Sequence, residues 1–206
     1  MFLPTTVRWA TFELAAFVSS WLVLLQLPRV AASPGDELIW LGFCENALLV
    51  AGGWVLFAML APAKSAGGSP PKSRQTLIRS AQILYALALP VIGLSHFVYA
   101  AGAASMVPSW LPFHLGFAYL TGAGHIAAGA GLILGIMPRL AAKMEALMLS
   151  CFVLLLHLPG VVAAPTDRTQ WTMLCVATAY TGACWALAAS FQVVPPWSVF
   201  RRAKRA

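Results

Sequence analysis

Six separate stretches of this chain are each apolar over about twenty residues, and that feature restricts the fold more than any other. A helix needs about 20 such residues to cross the hydrocarbon of a bilayer. The stretches run from about Trp9 to Leu27, Leu38 to Leu60, Leu77 to Tyr99, His114 to Met137, Leu140 to Val162 and Trp171 to Val193. Composition excludes a soluble domain: 60% of the 206 residues are hydrophobic and 9% are charged, where soluble chains carry roughly a quarter charged residues. The expected fold is an all-α, six-helix transmembrane bundle, with the lipid bilayer as its first partner.

The punctuation between stretches sets the expected boundaries. The first stops at Pro28 and the turn-forming Ala32-Ser33-Pro34-Gly35. It holds Glu13 and shows no small-x-small cleavage site, so it reads as a retained span rather than a signal peptide. Residues 61–76 are rich in Pro, Gly, Ser and Lys and read as a flexible loop. Pro138 ends the fourth stretch, Pro159-Gly160 is expected to break the last turn of the fifth, and Pro195-Pro196 ends the sixth. Three regions follow: two helices and a basic loop over 1–76, a four-helix unit over 77–193, and a basic tail over 194–206.

Six spans place alternate loops on one side. Arg8, Lys64, Lys72, Arg74, Arg79, Arg139, Lys143 and the tail Arg201, Arg202, Lys204 and Arg205 then share a side, against Arg29 and Arg168 on the other. Short loops rich in Lys and Arg stay in the cytoplasm, so both termini are expected there, in a multi-pass membrane protein. The basic residues form no continuous face, and nucleic acid is not an expected partner. Cys44, Cys151, Cys175 and Cys184 make no C-x-x-C pair and no zinc-like spacing. No metal site is expected from them.

Ionisable side chains inside a span are costly and mark candidate sites. At 1.5 Å per residue, His96 lies roughly 5 Å below the outer boundary, His157 roughly 8 Å, Glu45 and Asn46 roughly 10 Å, and His125 about 16 Å. Three imidazoles and a carboxylate toward one leaflet suit proton relay, a quinone carbonyl or a haem. The alternative is inter-helix hydrogen bonding that holds the bundle together. Glu13 is expected to pair with Arg8, and Glu145, near the inner end of the fifth segment, to snorkel to the interface. Ala123, Ala127, Gly131 and Gly135 recur every four residues as a packing stripe, Gly122 and Gly129 thin a second face, and His125 projects beside Thr121 and Gly129. The proline-broken apolar segment Met106 to Pro112 is expected in the outer interface, where it can roof a cavity.

No dinucleotide fingerprint, phosphate loop, H-E-x-x-H or G-x-S-x-G occurs. The runs Gly93-Leu94-Ser95-His96-Phe97-Val98-Tyr99, Met106-Val107-Pro108-Ser109-Trp110-Leu111-Pro112, Ala118-Tyr119-Leu120-Thr121-Gly122 and His125-Ile126-Ala127-Ala128-Gly129, with Leu154 to Pro159, resemble the DoxX-like family of bacterial membrane proteins over about residues 77 to 190. The resemblance implies a four-helix unit and a membrane part of a redox or detoxification system, and it adds Tyr119 and Trp110 to the candidate ligand-binding set. A glutamate commonly stands in the family pattern where this chain has His125. Glu45-Asn46 followed by Ala51-Gly52-Gly53 resembles that glutamate-then-glycine pattern, which is thin ground for an internal duplication.

The leading functional expectation is a membrane subunit of a quinone-linked redox system, with His96, His125, His157 and Glu45 around a quinone headgroup. No motif names the cofactor, so quinone and haem both stay open, and electrons must come from a soluble redox partner or a bound haem. The alternative is a non-enzymatic module that binds a hydrophobic ligand, anchors a soluble partner or forms a homo-oligomer. Transport ranks third, with the small size and lack of a clear repeat against it.

Overall fold

The computed structural model describes residues 3–61 and 71–195; most of the loop after residue 61, including Lys64, and the basic tail from 196 onward lie outside them. Six helices are long and apolar enough to cross a membrane: Thr6–Ala32, Glu37–Met59, Lys72–Val98, His114–Leu134, Pro138–Ala163 and Arg168–Val193. Among the described residues there is no strand. The six expected stretches therefore each become one span, numbered first to sixth in chain order. The first–second and fifth–sixth connections are tight turns at one face of the bundle, here the turn face; the opposite end is the terminal face.

Two expected helix ends are corrected. Neither Pro28 nor Pro159 stops its helix. Each sits at the second position of a continuing α-helical segment, Leu27–Ala32 and Leu158–Ala163, directly after a five-residue π-helical turn, Leu22–Gln26 and Val153–His157. The wider turn absorbs the ring and the missing N–H that an unbroken α-helix could not.

Those matching kinks belong to a repeat. Nine of the nineteen positions from 22 to 40 carry the same residue at a constant offset of 131 (19 to 150, 54 to 185), among them Leu27-Pro28 with Leu158-Pro159, Asp36 with Asp167 and Trp40 with Trp171. The repeated residues make the same bonds. Asp36 caps the second span by accepting from the Leu38 amide at 3.0 Å, and Asp167 caps the sixth by accepting from Thr169 at 2.8 Å. The Trp40 indole donates to the Pro34 carbonyl, and Trp171 to Pro165, both at 2.9 Å. Within the bilayer, Trp54 donates to Ser19 at 2.9 Å and Trp185 to Ser150 at 3.1 Å. The first and last helical hairpins are thus two copies of one unit. The sequence expectation of no clear repeat is overturned.

Packing depends on close backbone approach, as expected where lipid removes most of the hydrophobic driving force between helices. A Cβ on Gly52 of the second span would lie 2.4 Å from the Ala183 Cβ of the sixth, and 52 and 183 are equivalent positions of the repeat. Gly93 meets the Gly122 carbonyl, and Gly129 meets Pro90. The face of the fourth span that packs on the third is therefore Gly122 and Gly129. Ala123 and Ala127, in the other stripe, are exposed; Gly135 ends the helix at φ 70. The core runs through the second, third and sixth spans, around Leu48, Tyr85, Leu89 and Phe191. Near the terminal face Gln82 donates to Ser190 at 3.0 Å and to the Val194 carbonyl at 3.3 Å. The expected Arg8–Glu13 pair does not form: the Arg8 guanidinium lies 4.9 Å over the Phe57 ring, and Glu13 is exposed.

Candidate functional site

The last four spans, with Glu45 and Leu48 of the second, enclose a cavity of about 530 Å³ toward the turn face. Its roof is the connection after the third span, through Ala103, Met106, Val107, Pro108 and Leu111. A short helix, Ala100–Ser105, carries the first part of that roof. Its walls are mostly apolar, with Phe117, Leu120, Phe152 and Leu155 among them, and His125 and Glu145 lie at its floor.

His125 and Glu145 form that floor. The fourth span brings His125 inward because its small-residue face packs on the third span, and the Gly93 Cβ position lies only 3.0 Å from the His125 Cβ. The His125 Nδ1 and Glu145 Oε1 are 2.7 Å apart, with 2% and 1% of the residues exposed. A charged carboxylate alone at this depth would be prohibitive, and a hydrogen-bonded imidazole makes it tolerable. The second carboxylate oxygen, Oε2, is buried without a hydrogen-bond partner.

His96 stands one ring away, its centroid 5.1 Å from that of His125 and the planes inclined by 44°. Its Nδ1 is 3.0 Å from the Ile92 carbonyl. A carbonyl can only accept, so Nδ1 carries the proton and Nε2 retains its lone pair. Across the cavity Tyr180 and Glu45 line the wall together. Behind Glu145, Tyr85 and Cys184 are fully buried, and the Tyr85 hydroxyl has no hydrogen-bond partner. His157 reaches the wall from the last position of the π-helical turn Val153–His157.

Four of the seven expected site residues, His96, His125, His157 and Glu45, thus line one cavity. Three do not. The Asn46 amide donates to the Gly42 carbonyl of its own helix at 2.8 Å. Tyr119 stacks on Phe97 with centroids 5.5 Å apart, on the fourth span's outer surface, and Trp110 is 68% exposed beside the roof. The expectation that Glu145 snorkels is reversed by its burial against His125. Tyr180, Cys151 and the Tyr85–Cys184 pair were not expected. The one available sequence signal for Glu145 was its place two turns inside a span, among Met144, Ala146 and Leu147. Among the described residues, no group of three His, Cys, Asp or Glu side chains is placed to hold a metal ion.

A family model described as a domain of unknown function (DUF8561) matches residues 85–180. That segment contains His96, His125, Glu145, His157 and Tyr180 and leaves out Glu45. Searches of curated proteins and of solved structures each found no match.

Proposed function

We propose that this protein binds a lipid-soluble ligand with a small hydrogen-bonding headgroup in the turn-face cavity, and that it serves there as the membrane subunit of a quinone-linked redox system. The observation that carries the reading is the polar floor of an otherwise apolar cavity: His96 and His125 face one another, with Glu145 behind. Ligand sites commonly combine apolar walls with a few placed polar groups. A quinone offers carbonyl acceptors and takes up two protons when a redox partner supplies two electrons. On this side of the chemistry the contact between His125 Nδ1 and Glu145 Oε1 holds a proton, Glu45 and Tyr180 add polar groups to the wall, and the roof excludes water. The DoxX-like resemblance belongs to the same proposal, as does a bacterial inner membrane with both termini cytoplasmic. Among the described residues, Arg8, Lys72, Arg74, Arg79, Arg139 and Lys143 lie toward the terminal face, against Arg29 and Arg168 toward the turn face, which supports that orientation.

A second reading has its own observation. Two parallel copies of a helical hairpin also occur in transporters, whose sites lie between repeats near the bilayer midplane. The site here differs because its buried acid and imidazoles come from the third, fourth and fifth spans and not from matching positions of both copies.

Purification in mild detergent, a visible spectrum and solvent extraction test the main reading. About one quinone per chain is expected, lost from His96→Phe and His125→Phe while the variants still unfold cooperatively. A colourless preparation containing only bulk lipid would replace this reading with the non-enzymatic module. For orientation, Thr166→Cys and Ser69→Cys in intact cells are expected to label from opposite sides.

A further inference from the structure

The cavity is closed above and open at the side. Its roof covers the turn face, where water would enter. Three lining residues on facing walls are themselves on the outer surface of the bundle: Leu120 on the fourth span is 66% exposed, Leu155 on the fifth is 45% exposed, and Cys151, deeper on the fifth, is exposed as well. A residue that both lines a cavity and faces outward marks its mouth.

Helix packing accounts for the gap. The fourth span and the Pro138–Phe152 part of the fifth pack together, while the Val153–His157 turn and the helix after it pack on the sixth span. The half of the fifth span after Phe152 therefore packs on the sixth and not on the fourth, which leaves a gap between the fourth and fifth toward the turn face. At 1.5 Å per residue, Leu120 lies roughly 9 Å from the turn-face end of its helix, Leu155 roughly 12 Å and Cys151 roughly 18 Å. Those depths lie within the hydrocarbon, below the headgroups of a bilayer about 30 Å thick.

We infer that the mouth framed by Leu120, Cys151 and Leu155 is a lateral portal through which the ligand passes between the cavity and the acyl-chain region of the membrane. This rests on the ligand-binding reading above and narrows it. The ligand class becomes molecules that partition into the bilayer core, such as isoprenoid-tailed rings. The headgroup reaches His96 and His125 and the tail remains between the fourth and fifth spans. Water-soluble substrates of the same headgroup chemistry are excluded by the route.

The chain contains its own reporter. Cys151 stands in the portal, and Cys175 is exposed on the sixth span outside the cavity lining. The full chain in lipid nanodiscs, with both faces open to buffer, is labelled with lipid-soluble pyrene maleimide or with a sulfonated, water-soluble maleimide, and modification is read per cysteine by peptide mass spectrometry. Pyrene maleimide is expected to modify Cys151 and Cys175 at similar rates, and the sulfonated reagent to modify neither appreciably. Leu120→Trp, a change at an exposed position, is expected to slow pyrene labelling of Cys151 about fivefold and leave Cys175 unchanged, since a steric plug at a mouth acts locally. Fast reaction of Cys151 with the sulfonated reagent would overturn the portal, because the mouth would then open to water. So would labelling of Cys175 with Cys151 silent, or a Leu120→Trp variant that labels like the parent. Decylubiquinone is expected to protect Cys151 and not Cys175. If the labelling pattern holds and decylubiquinone gives no protection, the quinone assignment fails and the portal stands.

Discussion

The first and last helical hairpins share their kinks, caps and tryptophan–serine bonds, yet the last one gives the cavity an acid, an imidazole and a phenol where the first gives it one acid, Glu45. Position by position, Leu14 stands where Glu145 is, Gln26 where His157 is, Leu49 where Tyr180 is, and Gly53 where Cys184 is. Leu14 is 60% exposed toward lipid, and Glu145 is buried. Gln26 turns to its own hairpin, accepting from Arg29 at 3.4 Å, whereas His157 lines the cavity. The residues held in common are those that shape a membrane hairpin, and the residues that differ are those that meet a ligand. One scaffold has been kept twice, and apart from Glu45 the chemistry has been placed on the last copy.

The difference can be broken experimentally. The largest effect is expected at the contact between the copies. Gly52→Leu forces side-chain atoms into the Ala183 backbone and is expected to cost about 3 kcal/mol, at the upper end of overpacking penalties, whereas Gly182→Leu, with open space around it, should stay within about 0.5 kcal/mol. Unfolding in mixed micelles measures both, and equal costs would remove Gly52 as the hairpin contact.

Next comes the swap that makes the last hairpin resemble the first. Glu145→Leu leaves the buried His125 N–H without its acceptor and is expected to cost about 2 kcal/mol. His125→Leu combined with Glu145→Leu should recover most of that loss, since no orphaned polar group remains. A double variant as unstable as the single one would mean that volume, not hydrogen bonding, sets the cost.

A smaller and symmetrical effect is expected from Trp54→Phe and Trp185→Phe. Each removes one inter-helix bond to serine and should cost about 0.6 kcal/mol, typical of hydrogen bonds within a bilayer. Unequal losses would show that the two copies have diverged in packing as well as in chemistry. The smallest change is expected at the caps, where Asp36→Ala and Asp167→Ala should each lose about 0.5 kcal/mol at these exposed helix starts.

Much of this molecule was legible in the sequence. The six spans came out at nearly their observed positions because hydropathy is a sum along one segment and needs no neighbour. The repeat is also present in the sequence, in Leu27-Pro28, Asp36 and Trp40 against Leu158-Pro159, Asp167 and Trp171, and its residues are those of kinks, caps and turns and not the Glu45 pattern. Pro28 and Pro159 were misread as stops because a proline's cost depends on whether the turn before it can widen, and sequence alone does not specify a π-helical turn.

What the sequence by itself determined is the number of spans, the tight capped turns, and a short set of polar residues too costly to face lipid. Which of those residues meet was decided by tertiary structure. His96, His125 and Glu145 lie on three helices, and their convergence depends on how far each helix rotates and how closely its backbone approaches the next. Gly93 and Gly122 set that between the third and fourth spans, and Gly52 does so between the hairpins. A rotation of a few tens of degrees would turn Glu145 to lipid and erase the site while leaving every span in place.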